Sequence, residues 1–114
     1  LDSHPEARPG AEASECVAEQ LGDEGFFDFI DAMFAKQQSL NRTQYIAEAT
    51  VLGANEAQFT NCLDSGKYKD KVQADYQQGV AAGVRGTPSS FINGQNISGA
   101  VPFEQFKTIV DGLL

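Results

Sequence analysis

The chain lacks several features that would narrow its chemistry at once. Tryptophan is absent, histidine and methionine occur once each, and only two of the 114 residues are cysteine. No apolar run approaches the ~20 residues that a membrane-spanning helix needs. Basic residues are scarce too: the chain has 8 Lys and Arg against 16 Asp and Glu, which gives a net charge of -8. Because an acidic surface repels phosphate backbones, we expect no nucleic-acid partner. The lack of a long apolar run predicts that the chain has no membrane span.

The two cysteines, Cys16 and Cys62, do not form a Cys-x-x-Cys pair. With a single histidine they cannot complete a common zinc set, and we expect neither a metal site nor a cofactor. Three interpretations remain open: two free buried thiols, a structural disulfide, or a redox switch. A bridge would close a loop of about 47 residues and would stabilise the fold by about 4 kcal/mol in the chain-entropy model.

Apolar residues at helical spacing predict that the first part of the chain is helical. An extended lead-in occupies 1–10, and Gly22 separates a helix over 11–21 from a second helix that Asp23 caps. The second helix carries an apolar stripe that we expect in the core, formed by Phe26, Phe27, Ile30, Met33 and Phe34. A third helix starts at 41–44, and Asn55 is a typical N-cap residue for a short fourth helix.

The periodicity changes from helix to strand near Pro88. Before it, 67–82 predicts the longest helix; after it, a strand at 90–92 runs into an Asn-Gly turn, a strong hairpin signal. A return strand at 96–99 and a helix that starts at Pro102 follow. A two-stranded hairpin is marginal by itself in water, so this ββα tail is typical of half of a mixed sheet whose other strands are missing.

We therefore expect a mainly helical α/β chain, with a helical part over 1–82 and a ββα part over 83–114 in one compact domain. The stretch 83–94 reads Gly-Val-Arg-Gly-Thr-Pro-Ser-Ser-Phe-Ile-Asn-Gly and joins the two parts. Pro88 has no N–H and pushes Thr87 towards extended geometry. X-Pro bonds are also the ones in which the cis form is accessible.

The stretch 83–94 resembles the cis-proline segment of the DsbA-like branch of the thioredoxin superfamily. In that branch a Gly-Val-x-Gly-Thr-Pro run enters a strand that ends in Asn-Gly. The resemblance implies a thioredoxin-like fold with a DsbA-type helical insertion. It also implies that the Thr87-Pro88 bond is cis and that these two residues bind substrate, with Thr87 offering its backbone to a peptide.

Further motifs extend this resemblance over almost the whole chain. The His-Pro pair at 4–5 and Glu-Cys-Val-Ala at 15–18 are similar to a His-Pro and Glu-Cys-Ala pattern of the branch. The run 25–29 resembles its Gly-Lys-Phe-Trp helix start, although the lysine is absent. Cys-Leu-Asp-Ser-Gly-Lys-Tyr at 62–68 resembles its junction between two helices. The order and spacing of these motifs together are specific.

Some members of the branch join the two corresponding cysteines in a second, non-catalytic disulfide. The resemblance therefore implies a bridge between Cys16 and Cys62. Such a bridge favours an oxidising location, which would be the bacterial periplasm or another extracytoplasmic compartment.

The departure that matters most is the absence of the family's catalytic Cys-x-x-Cys. In the family this motif lies at the start of the first thioredoxin helix, and the chain begins at about the point where that first βαβ half would have ended. The resemblance thus implies the C-terminal portion of a DsbA-like thiol–disulfide oxidoreductase. No catalytic residue is expected in this portion, so whether the chain is itself an enzyme stays open.

We expect the intact protein to form or isomerise disulfides in exported proteins. Its partners would be unfolded or exported protein substrates and a redox partner. The chain itself would pair with a missing N-terminal half or form a swapped homodimer. The alternative is a redox-inactive peptide-binding or scaffold module with a thioredoxin-like fold.

Overall fold

A computed structural model describes residues 3–114 and shows a mainly helical chain with one antiparallel hairpin, as the sequence predicts. In chain order the elements are α1 (Ala7–Ala35), a 3-10 helix (Gln37–Ser39), α2 (Arg42–Val51), α3 (Glu56–Asp64), α4 (Lys69–Ala81), β1 (Ser89–Ile92), β2 (Gln95–Ser98) and α5 (Phe103–Leu113). They divide into two compact units within α4: a helical unit that ends at Ala74 and a hairpin unit, Asp75–Leu114. The division at 82/83 that the sequence suggests stays a prediction.

Helix α1 begins earlier than predicted, so the expected extended lead-in is wrong from Ala7 onwards. Arg8, Pro9 and Gly10 all lie in its first turn. Proline is tolerated there because the first backbone N–H groups of a helix have no intrahelical acceptor. Residues 1 and 2 of the predicted lead-in lie outside the described residues.

The predicted interruption at Gly22 is confirmed. Its φ of 70° and ψ of -163° are not helical, and α1 is kinked there. Glycine reaches this left-handed φ without the clash of a Cβ. Because helix resumes directly on the other side of the kink, α1 runs for 29 residues and is longer than the 13 residues of α4. The expectation that α4 is the longest helix is therefore wrong.

The core of the helical unit forms where α1, α2 and α3 meet. The Phe29 ring lies 6.3 Å from the Tyr45 ring and 6.5 Å from the Phe59 ring, centroid to centroid. All three side chains are fully buried. Rings at this separation attract each other beyond the effect of burying their area. These aromatic contacts link one residue from each of the three helices.

The apolar stripe predicted for the second half of α1 is only partly in this core. Met33 is buried, but the side chains of Phe27 and Phe34 are 62% and 66% exposed. Phe29, which the stripe omitted, is fully buried instead. Phenylalanines occur on two adjacent faces of this helix, and the contacts with α2 and α3 determine which face is covered.

Side chains cap the starts of α2 and α3, which confirms the cap predicted at Asn55 and the helix start predicted at 41–44. The Asn41 side chain accepts a hydrogen bond from the Gln44 backbone N–H at 2.8 Å. Asn55 does the same with Gln58 at 2.9 Å. Each bond satisfies an N–H that has no acceptor within the helix.

A buried tyrosine connects α2 to the start of α1. The Tyr45 hydroxyl donates to the Glu6 carboxylate at 2.8 Å. Burial raises the pKa of Tyr45 well above its ordinary value, and the hydrogen bond with Glu6 raises it further. The hydroxyl therefore stays protonated and keeps its role as a donor.

The two cysteines are joined by a disulfide between α1 and α3. The Cα atoms of Cys16 and Cys62 lie 5.9 Å apart, and the two residues are 1% and 4% exposed. The chain contains no other cysteine. The structure therefore excludes the interpretation as free thiols, and burial of both residues argues against an accessible redox switch.

The hairpin unit contains the predicted Asn-Gly turn, which is confirmed. Asn93 and Gly94 have φ values of 48° and 82°, as a two-residue turn of type I′ requires. The turn sets an antiparallel register in which Ser90 faces Ile97. Ile97 is the only buried side chain among residues 75–114.

The kink in α1 generates a prediction about Gly25. A Cβ at this buried glycine would lie 2.4 Å from Leu21 Cβ, closer than two carbons can approach. Gly25→Ala should therefore lower the free energy of unfolding by about 1–3 kcal/mol, despite the higher helix propensity of alanine. Urea denaturation followed by circular dichroism measures the change.

Gly112→Ala is the matched control. Gly112 lies in α5, and a Cβ there would meet no atom within 4 Å. This variant should be neutral or slightly stabilising. A Gly25→Ala protein as stable as the wild type would show that the close approach of Leu21 to Gly25 does not require glycine.

The disulfide generates a second prediction. Because Cys16 and Cys62 are 46 residues apart, removing the cross-link restores considerable freedom to the unfolded chain. The double variant Cys16→Ala/Cys62→Ala should lose about 4 kcal/mol of unfolding free energy. Urea titrations of oxidised wild type, reduced wild type and the double variant measure it. A loss below about 1 kcal/mol in both cysteine-free and reduced protein would contradict the role assigned to the bridge.

Candidate functional site

The candidate site is the segment that connects α4 to β1. Helix α4 ends where Gly83 takes a φ of 99° and the Val84 backbone N–H donates to the Gly79 carbonyl at 2.9 Å. A left-handed glycine with a hydrogen bond back into the last turn is a common way to end a helix. The chain is thereby redirected out of the helix towards β1.

The end of this segment is attached to the hairpin. The Thr87-Pro88 peptide bond is cis. The Pro88 carbonyl accepts a hydrogen bond from the Gly99 N–H, just beyond β2, at 2.9 Å. This bond continues the pairing of the two strands up to Pro88, so the hairpin determines where Thr87 and Pro88 lie.

One edge of β1 is open. Backbone groups in an antiparallel pair point alternately towards and away from the partner strand. Since Pro88 bonds towards β2, Ser89 and Phe91 direct their N–H and C=O groups away from it. Within residues 3–114, β1 has no neighbour on that outer side. The Phe91 side chain is 45% exposed beside this edge.

The backbone of Thr87 is open as well. Thr87 is exposed, and its N–H and C=O groups form no hydrogen bond with any residue that the structure describes. Backbone groups are strong donors and acceptors that need a partner, either water or a ligand. An unpaired residue next to an unpaired strand edge is a suitable place for an extended peptide to add by strand pairing.

The predicted site residues form two separate pairs. Cys16 bonds to Cys62 in the helical unit, and Thr87 adjoins Pro88 in the hairpin unit. Both sulfur atoms are held in the buried bridge, so neither can act as the thiolate that begins disulfide exchange. The described residues therefore combine an unpaired strand edge with a disulfide that leaves no free thiol.

One residue of the segment was given no role by the sequence analysis. Arg85 is exposed and lies two positions before Thr87. A signal for it was present in the sequence, because no other charged residue occurs between Asp75 and Glu104. Arg85 occupies the variable position of the Gly-Val-x-Gly-Thr-Pro motif, so the resemblance implies no role for it.

The described residues contain neither a metal-ligand cluster nor a candidate membrane span. Between residues 3 and 114, no three His, Cys, Asp or Glu side chains come together as metal ligands. None of the helices in the same range is long and apolar enough to cross a membrane.

Three curated proteins are similar to the chain, and all are named as Na⁺/H⁺ antiporters. NhaA of Herminiimonas arsenicoxydans is 33% identical over 100 residues, covering 88% of this chain and 16% of that protein. NhaA 3 of Salinispora tropica is 28% identical over 109 residues, and NhaA 1 of Salinispora arenicola is 29% identical over 110 residues. Each of these two alignments covers 96% of this chain and 16% of the relative. The chain thus spans about a sixth of the length of the relatives that it matches.

No solved structure matches the chain. A family model, by contrast, matches nearly all of it. The model of the thioredoxin family matches residues 2–112, which is nearly the whole chain. This match confirms the predicted thioredoxin-like fold, the fold type of thiol–disulfide oxidoreductases. The chain belongs to the thioredoxin family.

Proposed function

We propose that this chain is the C-terminal portion of a DsbA-like thiol–disulfide oxidoreductase. It supplies the helical cap and the Thr87-Pro88 loop, and the redox dithiol belongs to another part of the larger protein. The substrates are extended segments of exported proteins whose cysteines become joined or rearranged.

The observation that carries the proposal is the open backbone of Thr87 next to the open edge of β1. A bound peptide pairs with the N–H and C=O groups of Thr87 as an added strand. Backbone pairing does not depend on the side chains of the peptide. Peptides of many sequences can therefore bind, as a general disulfide-forming enzyme requires. Ser89 and Phe91 continue the same edge and pair with a further strand of the larger protein.

Exposed apolar side chains support the existence of that larger protein. In α5 the side chains of Phe103 and Leu113 are 73% and 50% exposed, and Val110 is 41% exposed. A hairpin needs a third strand or a packed helix for independent stability. The missing N-terminal half, or a second copy in a swapped dimer, provides both the strand and a cover for α5.

The exchange reaction needs a sulfur pair that this chain does not contain. A substrate thiolate attacks the disulfide of an oxidised Cys-x-x-Cys, so that one motif cysteine leaves as a thiolate and the other forms a mixed disulfide with the substrate. A second substrate thiolate then displaces the other, so the substrate is oxidised and the motif is reduced. The role of this chain is to hold the substrate backbone during these steps, and a separate redox partner reoxidises the motif.

The structural disulfide supports a location outside the reducing cytoplasm. Cross-links of this kind persist in secreted proteins and in the bacterial periplasm, whereas cytosolic thiols are kept reduced. We therefore propose that the chain works in the periplasm or another extracytoplasmic compartment, where exported proteins acquire their disulfides.

The antiporter relatives favour a second candidate function. Proteins named as Na⁺/H⁺ antiporters carry a segment similar to 88% or 96% of this chain within a much longer sequence. The chain would then be a redox-inactive peptide-binding or scaffold module attached to a transporter. It would use the same Thr87 loop without sulfur chemistry.

The coding sequence upstream of Leu1 separates the two candidates. The enzyme hypothesis predicts an in-frame strand followed by Cys-x-x-Cys. It also predicts that the 114-residue chain alone has no activity in an insulin reduction assay, because its sulfurs are buried in a bridge. Turnover of insulin by the isolated chain would contradict the proposal. An upstream coding sequence that encodes a transporter segment and no Cys-x-x-Cys would favour the scaffold module.

A backbone role for Thr87 predicts a contrast between two variants. Thr87→Pro removes the N–H and should weaken binding of an extended peptide about 3- to 10-fold, the value of one hydrogen bond. Thr87→Val keeps the N–H and should bind as the wild type does. Fluorescence anisotropy with a labelled peptide and the full-length gene product measures both affinities. A loss in Thr87→Val equal to that in Thr87→Pro would assign the contact to the side chain instead.

A further inference from the structure

Arg85 dominates the local charge of the candidate site. It is the only charged residue between Asp75 and Glu104, an interval that includes the loop and both strands of the hairpin. The chain as a whole carries a net charge of -8. The peptide-binding segment is therefore locally positive on an otherwise acidic chain.

The Arg85 guanidinium has no acidic partner among residues 3–114. Arg85 is exposed, and no ion pair joins it to another residue in the described part of the chain. The other cation of the hairpin unit, Lys107, is already paired with Asp111 at 2.6 Å. Of these two cations, Arg85 is the one available to a ligand.

The position of Arg85 brings it within reach of a peptide at Thr87. Two residues of extended chain span at most about 7 Å, and a stretched arginine side chain is of similar length. A guanidinium can thus contact side chains close to the peptide residue that pairs with Thr87. Its planar fork matches a carboxylate with two parallel hydrogen bonds, which makes Asp and Glu its best partners.

We propose that Arg85 determines specificity: it selects peptides that carry Asp or Glu within about two residues of the position paired with Thr87. This inference rests on the proposed peptide-binding function and adds a substrate class to it. The preference is local, because the net charge of the chain repels an acidic peptide at longer range. A carboxylate placed several residues away therefore gains nothing.

The test compares labelled peptides that share one apolar sequence. Three peptides carry Glu, Gln or Lys at the central position, and a fourth carries the same Glu six residues away. Fluorescence anisotropy with the full-length gene product should show the central-Glu peptide binding about three- to fivefold more tightly than the Gln peptide. The displaced Glu should give no such gain. The preference should also fade in 1 M salt, where charges are screened within about 3 Å.

Variants of the two cations assign the preference to its residue. Arg85→Gln should abolish it, and Arg85→Glu should reverse it in favour of the Lys peptide. Lys107→Gln makes the same change in net charge at a side chain of α5 that is paired with Asp111, and it should leave the preference intact. Circular dichroism verifies that each variant is folded, which the exposure of both side chains favours.

The outcomes distinguish this inference from the function on which it rests. Equal binding of the four peptides would overturn the role of Arg85 and leave peptide binding in place. An equal loss of preference in Arg85→Gln and Lys107→Gln would overturn it too, since net charge would then be the cause. Absence of binding by every peptide would overturn the proposed function and the inference together.

Discussion

The Cys16–Cys62 bridge joins α1 to α3 among the buried side chains of the helical unit. It has two consequences at once. It limits the freedom of the unfolded chain between the two helices, which stabilises the helical unit. It also takes the only sulfur nucleophiles of the chain out of solution. A member of a family associated with sulfur exchange is thus left with sulfur in a purely structural role.

The chemistry that remains is that of the backbone. In the loop before β1, the exposed residue Thr87 precedes a strand that, within the described part of the chain, pairs on one side only. Exposed strand edges attract other chains, and proteins generally cover or blunt them. The open edge of β1 lies directly after the Thr87 loop, and the same unit carries exposed apolar side chains on α5.

Charge is distributed unevenly between the two units. Thirteen of the 16 acidic residues precede Asp75, and only two of the 8 basic residues follow it. Several acids of the helical unit are paired, as Glu15 is with Lys71 and Glu19 is with Lys67. The loop and hairpin carry almost no charge, so a single guanidinium there has an influence that it would lose on a surface crowded with ions.

The local features of the fold could be predicted because each depends on a few neighbouring residues. The kink at Gly22 and the hairpin turn at Gly94 need positive φ angles, which glycine adopts without strain. The caps at Asn41 and Asn55 need only a side-chain oxygen and an N–H three residues away. The residues of the candidate loop could be identified in the same way, as a linear motif.

Tertiary structure decided what depends on distant partners. A helix with phenylalanines on two faces can bury either, and packing against α2 and α3 selected Phe29 over Phe27. Free thiols and a disulfide suited the two cysteines equally from the residues alone, until the fold brought their Cα atoms to 5.9 Å. By itself the sequence determined where the backbone turns and where helices begin, because these depend on local sterics and hydrogen bonds. Only the tertiary structure decided which side chains are buried, which sulfurs meet and which strand edge stays open, because these depend on contacts between residues far apart in the chain.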